Sequence, residues 1–227
     1  MIILTGASGG IGKEILQDLS EFDDVIAVYN NSQPKVDRSK KSILFQKLNL
    51  SNEDEINAFV EKNKAILNNI TIIHGAGISE NSLVINHKKS KWEDVIGINL
   101  TANFLLTKAL VPLMVKQKWG RIIHLSSIRV ASGTLSYSTT KHGLLGMSKV
   151  LVKEYAKFNI TSNCLILGAF NTGMFQNLRE KIKKEMINQI PSRKIGDVMN
   201  IANAIKFIVN SPFVNGASIS IDGGASV

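Results

Sequence analysis

The chain has 227 residues, 44% hydrophobic and 20% charged, with 27 Lys+Arg against 18 Asp+Glu and a net charge of +9. That composition excludes a disordered or collagen-like chain, and the length suffices to bury about 70% of the unfolded surface. The single cysteine, Cys164, excludes an intrachain disulfide and a cysteine-based zinc site, and 4 scattered His offer no replacement, so no metal is expected.

The best membrane-span candidate, residues 100–115, is interrupted by Asn103, Lys108 and Pro112 and falls short of the roughly 18 apolar residues required. Met1-Ile2-Ile3-Leu4 runs straight into a glycine turn without a basic leader, which reads as a strand rather than a signal peptide. A cytoplasmic protein with no membrane partner is expected. Aromatics are only 6% and the basic residues are spread along the chain, so the basic stripe with interleaved aromatics of a nucleic-acid binder is missing.

Apolar runs and helical patterns alternate. Residues 2–4 form a first strand; Ile11, Ile15, Leu16 and Leu19 mark a helix; Val25–Tyr29 is a second strand closed by Asn30-Asn31-Ser32; and 43–48 is a third. Ser51 reads as the N-cap of a helix whose acidic first turn, Glu53, Asp54 and Glu55, suits the positive end of its dipole. A fourth strand at 70–73 ends in Gly75-Ala76-Gly77. A long helix at 92–115, a strand at 121–125, a second long helix at 135–158, a strand at Ile160–Leu167, a helix at 201–209 and a strand at 217–221 complete the pattern. Strands separated by helices require right-handed crossovers, so the chain predicts one doubly wound α/β domain over 1–227, a parallel sheet of about seven strands flanked by helices.

In such sheets ligands lie beyond the carboxyl ends of the strands. There, Gly6, Gly10 and Gly12 stand between the first strand and the first helix, where glycine lets backbone N–H groups approach a pyrophosphate at the helix N-terminus. Tyr137 and Lys141, four apart on a helix, share a face; a cation beside a phenol favours the phenolate, and such a tyrosine can act as acid toward a carbonyl or base toward an alcohol. Ser126 and Ser127 place a hydroxyl at a strand's carboxyl end, where it can bond a substrate oxygen as charge develops. Asn99 is a poor helix former inside a helix, and its amide can face solvent or tie a buried water to the backbone.

The spacing Gly-x-x-x-Gly-x-Gly, taken with these four residues, resembles the classical short-chain dehydrogenase/reductase family over essentially the whole chain. The resemblance implies a Rossmann-type oxidoreductase with Tyr137 as catalytic acid/base. Lys141 would lower its pKa and hold the nicotinamide ribose, Ser127 in preference to Ser126 would polarise the carbonyl, and Asn99 would position a relay water. It also implies a cofactor cradle of Gly6, Ser8, Gly9, Gly10, Ile11 and Gly12, of Asn49 and Leu50, and of Gly75, Ala76 and Gly77. Gly168, Phe170 and Thr172 would line the nicotinamide, with Thr172 near its carboxamide. The chain departs from the family pattern in having His74-Gly75 for two asparagines, Asn49 for aspartate and Leu167 for proline, and in a 127–137 segment about three residues shorter than usual.

A carboxylate at the end of the second strand would bind a ribose 2′-hydroxyl and repel a 2′-phosphate. Here Asn30, Asn31 and Ser32 stand there with Lys35, Arg38, Lys40 and Lys41 following, which suits a phosphate and favours NADP(H) over NAD(H). Within the family the chain looks most like the 3-oxoacyl-(acyl-carrier-protein) reductases of fatty acid biosynthesis. An acidic carrier protein could dock on Lys116, Lys118 and Arg121. A dehydrogenase of a sugar, polyol or other small alcohol is the alternative, and a cofactor-binding regulator the non-enzymatic one. The resemblance also implies a homotetramer, with Phe104, Leu105, Leu144, Leu145 and Met147 as candidate contacts.

Overall fold

The structure is a computed structural model that describes residues 1–35 and 43–227. Its strands are β1 (Ile2–Thr5), β2 (Val25–Tyr29), β3 (Ile43–Lys47), β4 (Thr71–His74), β5 (Gly120–Ser127), β6 (Ile160–Leu167) and β7 (Ser218–Ile221). They form one parallel sheet in the order β3-β2-β1-β4-β5-β6-β7. Every residue of β1, β4 and β5 is buried, because helices cover both faces and the strands carry continuous rather than alternating apolar runs.

On one face, α1 (Gly10–Phe22) and α8 (Met199–Asn210) set Ile15, Leu16 and Leu19 beside Ile201, Ile205 and Ile208 over Leu4, Ile73 and Ile123. On the other, α2 (Glu53–Asn63) and α4 (Ala102–Gln117) pack Ile56, Leu106, Leu110 and Met114 on Ile3, Ile72 and Ile122. α5 (Leu135–Tyr155) lies against β5 and β6. β1 is flanked by β2 and β4, so the winding reverses there and opens a crevice beyond their carboxyl ends.

Several elements differ from the sequence-based expectation. Asn52, not Ser51, caps α2: its side-chain oxygen accepts from the N–H groups of Asp54 and Glu55, while Ser51 donates its own N–H to Asn49 Oδ1 at 3.1 Å. The helix expected at 92–115 starts earlier, as α3 (Lys89–Ile96), and passes through a π-helical turn at Gly97–Thr101 into α4. The whole run Lys89–Gln117 is long and apolar enough to cross a membrane by length and composition, yet Leu106, Leu110 and Met114 are core residues against the sheet. β5 extends through Ser127, so both serines are strand residues paired with Ile166 and Leu167. Two helices were not anticipated, α6 (Gly173–Gln176) and α7 (Glu180–Gln189); α7 buries no residue, so it carries little apolar periodicity to read.

Candidate active site

The crevice begins where β1 ends. The Thr5 hydroxyl accepts from the N–H groups of Gly75 and Ala76 at 3.1 and 3.2 Å and donates to Ile73 O at 3.3 Å, so one side chain joins the first turn to the end of β4. Gly6 has φ +68°, and a Cβ there would stand 2.7 Å from Ala76 N. A Cβ on Gly10 would stand 2.8 Å from Gly173 N, and one on Gly12 would collide with Gly6 O. The turn is pressed against β4, the segment after β6 and itself, which leaves room for glycine alone.

Gly9 caps α1 through its backbone, and no side chain caps the helix. The first-turn N–H groups of Gly10, Ile11 and Gly12, beside the half-buried Ser8, therefore lack intrahelical acceptors and stand at the positive end of the dipole. That is the chemistry of an anion cradle. Ala7 N donates to Val28 O at 3.1 Å and holds the loop to β2. Asn30, Asn31, Ser32 and Lys35 are exposed at the end of that strand, while Arg38, Lys40 and Lys41 lie outside the described residues.

The remaining cradle candidates divide. Gly77 sits between the two halves of the site: a Cβ there would lie 3.4 Å from Asn99 Oδ1 and 3.5 Å from Lys141 Nζ. Thr172 touches the glycine loop, its Cβ lying 3.2 Å from where a Cβ on Gly10 would stand. Asn49 uses its side chain in its own turn with Ser51, and Leu50 is buried in the core behind it. Gly168 is required by the chain terminus, because a Cβ would meet Asp222 Cα at 2.7 Å. Phe170 turns its ring into the core, tight against Gly196.

At the carboxyl end of β5 the two serines separate. Ser126 donates its hydroxyl to Lys141 O at 2.7 Å and is buried in that bond. Ser127 Oγ accepts from Arg129 N at 3.1 Å, and the same hydroxyl favours the ionised form of the Tyr137 phenol. Burial raises the Tyr137 pKa above its ordinary value of 10, and the Ser127 hydrogen bond and then the Arg129 charge pull it back. The phenol is therefore protonated at neutral pH.

Lys141, buried in the fold, has its pKa lowered by desolvation to about 8. Its ammonium donates to Leu125 O at 2.7 Å and lies 5.7 Å from the centre of the Tyr137 ring. In this geometry the cation that acts on the phenol is Arg129, a residue the sequence reading passed over, with its guanidinium carbon 6.0 Å from the ring centre.

Asn99 lies in the π turn and is wholly buried. Its Oδ1 accepts from Ile78 N at 2.8 Å, and its Nδ2 donates to Ile78 O at 2.9 Å and Thr140 Oγ1 at 3.1 Å. Thr140 in turn donates to Tyr137 O at 2.7 Å. The amide thus ties the strand end after β4 to the turn of α5 that carries Tyr137 and Lys141. The amide nitrogen is fully used, Oδ1 keeps one lone pair, and the backbone carbonyl of Asn99 accepts from Asn103 Nδ2 at 3.2 Å.

Behind the site, His74 and His124 stack with ring centres 5.0 Å apart and planes 8° from parallel. Burial first, then neighbouring charge including Lys141, lowers both pKa values, that of His124 to about 3. His74 Nε2 bonds Thr107 Oγ1 at 2.9 Å, so the histidine standing for the family's asparagine is a neutral strut between sheet and α4.

Two further expectations are corrected. Arg121 is 3% exposed and bonded to three backbone carbonyls, so it offers nothing to a docking partner. Leu144 is wholly buried in the fold and cannot contribute to a surface between subunits.

Comparison with known proteins agrees with this geometry. The short chain dehydrogenase family model matches residues 1–183. The chain is 32% identical to Nodulation protein G of Rhizobium sp. (strain N33), covering 99% of this chain and 96% of the relative. It is 31% identical to a 3-oxoacyl-[acyl-carrier-protein] reductase of Aquifex aeolicus (strain VF5), covering 98% and 95%. In structure it matches a crystal structure assigned provisionally to a gluconate dehydrogenase of Agrobacterium tumefaciens, with a TM-score of 0.89 at 21% identity over 100% of this chain and 95% of that one. From a seven-stranded parallel sheet, a glycine loop at its switch point and a serine–tyrosine–lysine cluster beyond β5, as from these matches, the chain belongs to the short-chain dehydrogenase family.

Proposed function

We propose that this oxidoreductase reduces the 3-oxo group of an acyl thioester, with a nicotinamide cofactor as hydride donor and NADPH preferred over NADH. The observation that carries the reading is the cluster at the carboxyl end of β5, where the Ser127 hydroxyl pulls down the pKa of the Tyr137 phenol and the Lys141 ammonium lies 5.7 Å from its ring centre. The cradle fits a dinucleotide: three glycine positions admit no Cβ, and the uncapped N–H groups of α1 face the crevice.

A nicotinamide cofactor held by the glycine turn would supply a hydride to the carbonyl carbon. Ser127 donates to the carbonyl oxygen, and Tyr137 delivers its proton there as the C=O π bond breaks, which leaves an alcohol. Lys141, its ammonium 5.7 Å from the ring centre, would hold the nicotinamide ribose, while Asn99 holds the two halves of the site in register through Ile78 and Thr140. Exposed Asn30, Asn31 and Ser32, with no carboxylate among them, support the NADPH preference.

The thioester assignment is supported by relatives named 3-oxoacyl-[acyl-carrier-protein] reductase at about 30% identity over nearly the whole chain. A cytoplasmic homotetramer acting on an acidic carrier protein accompanies the reading, with the half-exposed Phe104 and Val150 as surface contacts. Following NADPH and NADH oxidation with acetoacetyl thioester, against Tyr137→Phe as control, tests it. Turnover with NADPH that disappears in the variant supports the assignment. Oxidation of sugars or polyols in place of thioester reduction would move it to the alternative.

A further inference from the structure

Arg129 acts on the phenol through its charge, and the chemistry above gives its hydrogen-bond donors no partner in the substrate. It stands just past β5, and its backbone N–H is bonded to Ser127 Oγ, so its position is fixed relative to the serine. Its guanidinium is close enough to Tyr137 to draw down the phenol's pKa. The only side chain that receives a hydrogen bond from it among the described residues is Asn81, a neutral amide whose Oδ1 lies 3.3 Å from one terminal nitrogen. No carboxylate among the described residues pairs with it.

A guanidinium carries five N–H donors in a planar fork made for two oxygens, so most of this one is uncommitted. Its surroundings strengthen what it can bind. The Asn81 bond and the bond from Ser82 N to Gly133 O at 2.9 Å join the 78–85 segment to the 129–133 segment. These segments carry the exposed Ile78, Leu83, Val84, Ile85 and Val130. A cation at an apolar rim is less screened than one in open water.

We propose that Arg129 is the specificity-determining residue that grips the substrate's second oxygen function, on a carbon close to the one being reduced. The reacting carbonyl must reach Ser127 and Tyr137, and Arg129 is tied to the first and adjoins the second. In a 3-oxo compound the oxygen-bearing carbons C1 and C3 are separated by a single methylene. When C3 sits at the tyrosine, the C1 oxygen falls within the reach of this fork. Two sources share that chemistry, the C1 carbonyl of a 3-oxoacyl thioester and the carboxylate of a free 3-oxo acid. The inference rests on the reductase reading and deepens it.

The test compares wild type, Arg129→Met and Arg129→Lys on acetoacetyl thioester, on acetoacetate and on 2-pentanone, which has no second oxygen. Losing hydrogen bonds from a charged donor should raise KM for the two dioxygenated substrates about tenfold or more beyond any change with 2-pentanone, with a smaller effect on kcat. Lysine should recover part of the loss for acetoacetate, where a point charge suffices, and little for the thioester. Whichever substrate wild type prefers identifies the source.

Equal losses on all three substrates, or none, would overturn the proposal while leaving the reductase reading intact. Calorimetric binding of 3-hydroxybutyrate to wild type and Arg129→Met decides it even if wild type reduces nothing: weaker binding by the variant supports the arginine's role, and equal binding removes it. Failure of wild type to reduce any carbonyl with either cofactor sinks the reductase reading instead.

Discussion

Arg121 near the amino end of β5 and Arg129 just past its carboxyl end do opposite things. At the amino end Arg121 is buried, its Nε donates to Val209 O at 3.2 Å, its Nη1 to Gly120 O at 2.8 Å and Asn159 O at 2.9 Å, and its guanidinium carbon lies 4.5 Å from the centre of the Trp119 ring. At the carboxyl end, roughly 23 Å along the strand, Arg129 is half exposed and holds one neutral amide. Desolvation without a carboxylate partner lowers the pKa of the buried guanidinium, and backbone carbonyls compensate. The outer one keeps its donors for something else. Residue type alone says nothing about which is which; position relative to the sheet ends does, because parallel strands gather free backbone and side-chain groups for ligands at their carboxyl edge.

The comparison is sharpened first by removing the proton donor at the carboxyl end. Tyr137→Phe should cut turnover on the order of 10²–10⁴-fold, the ordinary worth of a general acid, while thermal unfolding stays near that of wild type. Retained turnover would detach the chemistry from this end of the strand. At the other end the expectation inverts. Arg121→Met strips donors from Val209 O and Asn159 O in a buried corner and should cost about 2–3 kcal/mol of stability in denaturant titration, with kcat of the folded fraction preserved. A large fall in kcat would show that the two ends are coupled.

Midway, the stacked imidazoles make a pH test. Both His74 and His124 have folded pKa values below 6.5, so above pH 6.5 their contribution to stability is present in full. As pH falls below 6.5 the unfolded chain binds protons that the folded one resists. Stability therefore declines until the folded value, about 3 for His124, is passed. His124→Asn should flatten the unfolding midpoint between pH 6.5 and 4 relative to wild type, and an unchanged slope would show that the pair titrates freely. The smallest effect belongs to the neighbouring serines. Ser126→Ala removes one bond to Lys141 O and should cost about 1 kcal/mol of stability with turnover retained. Ser127→Ala should leave stability alone and lower kcat.

Much of the site was legible because it is local. Gly6, Gly10 and Gly12 announce themselves where a strand meets a helix, and Tyr137 and Lys141 need only helical periodicity to share a face. The long strands and helices were legible for the same reason, since their apolar pattern is set by immediate neighbours. Asn52 displaced Ser51 as a cap through a contest between adjacent side chains that pattern alone does not resolve.

What the sequence determined by itself is the doubly wound order of strands and helices, the glycine turn between the first strand and helix, and the shared helical face of Tyr137 and Lys141, because these follow from short-range periodicity and steric permission. The tertiary structure alone decided which serine is committed to Lys141 O, that the Asn99 amide is committed to Ile78 and Thr140, that Arg121 and Leu144 are interior, and that Arg129 stands 6.0 Å from the centre of the Tyr137 ring. Each of those outcomes depends on groups distant along the chain meeting in a low-dielectric interior. There, hydrogen-bond partners and burial set what a side chain can do, and neither is encoded in any one stretch of residues.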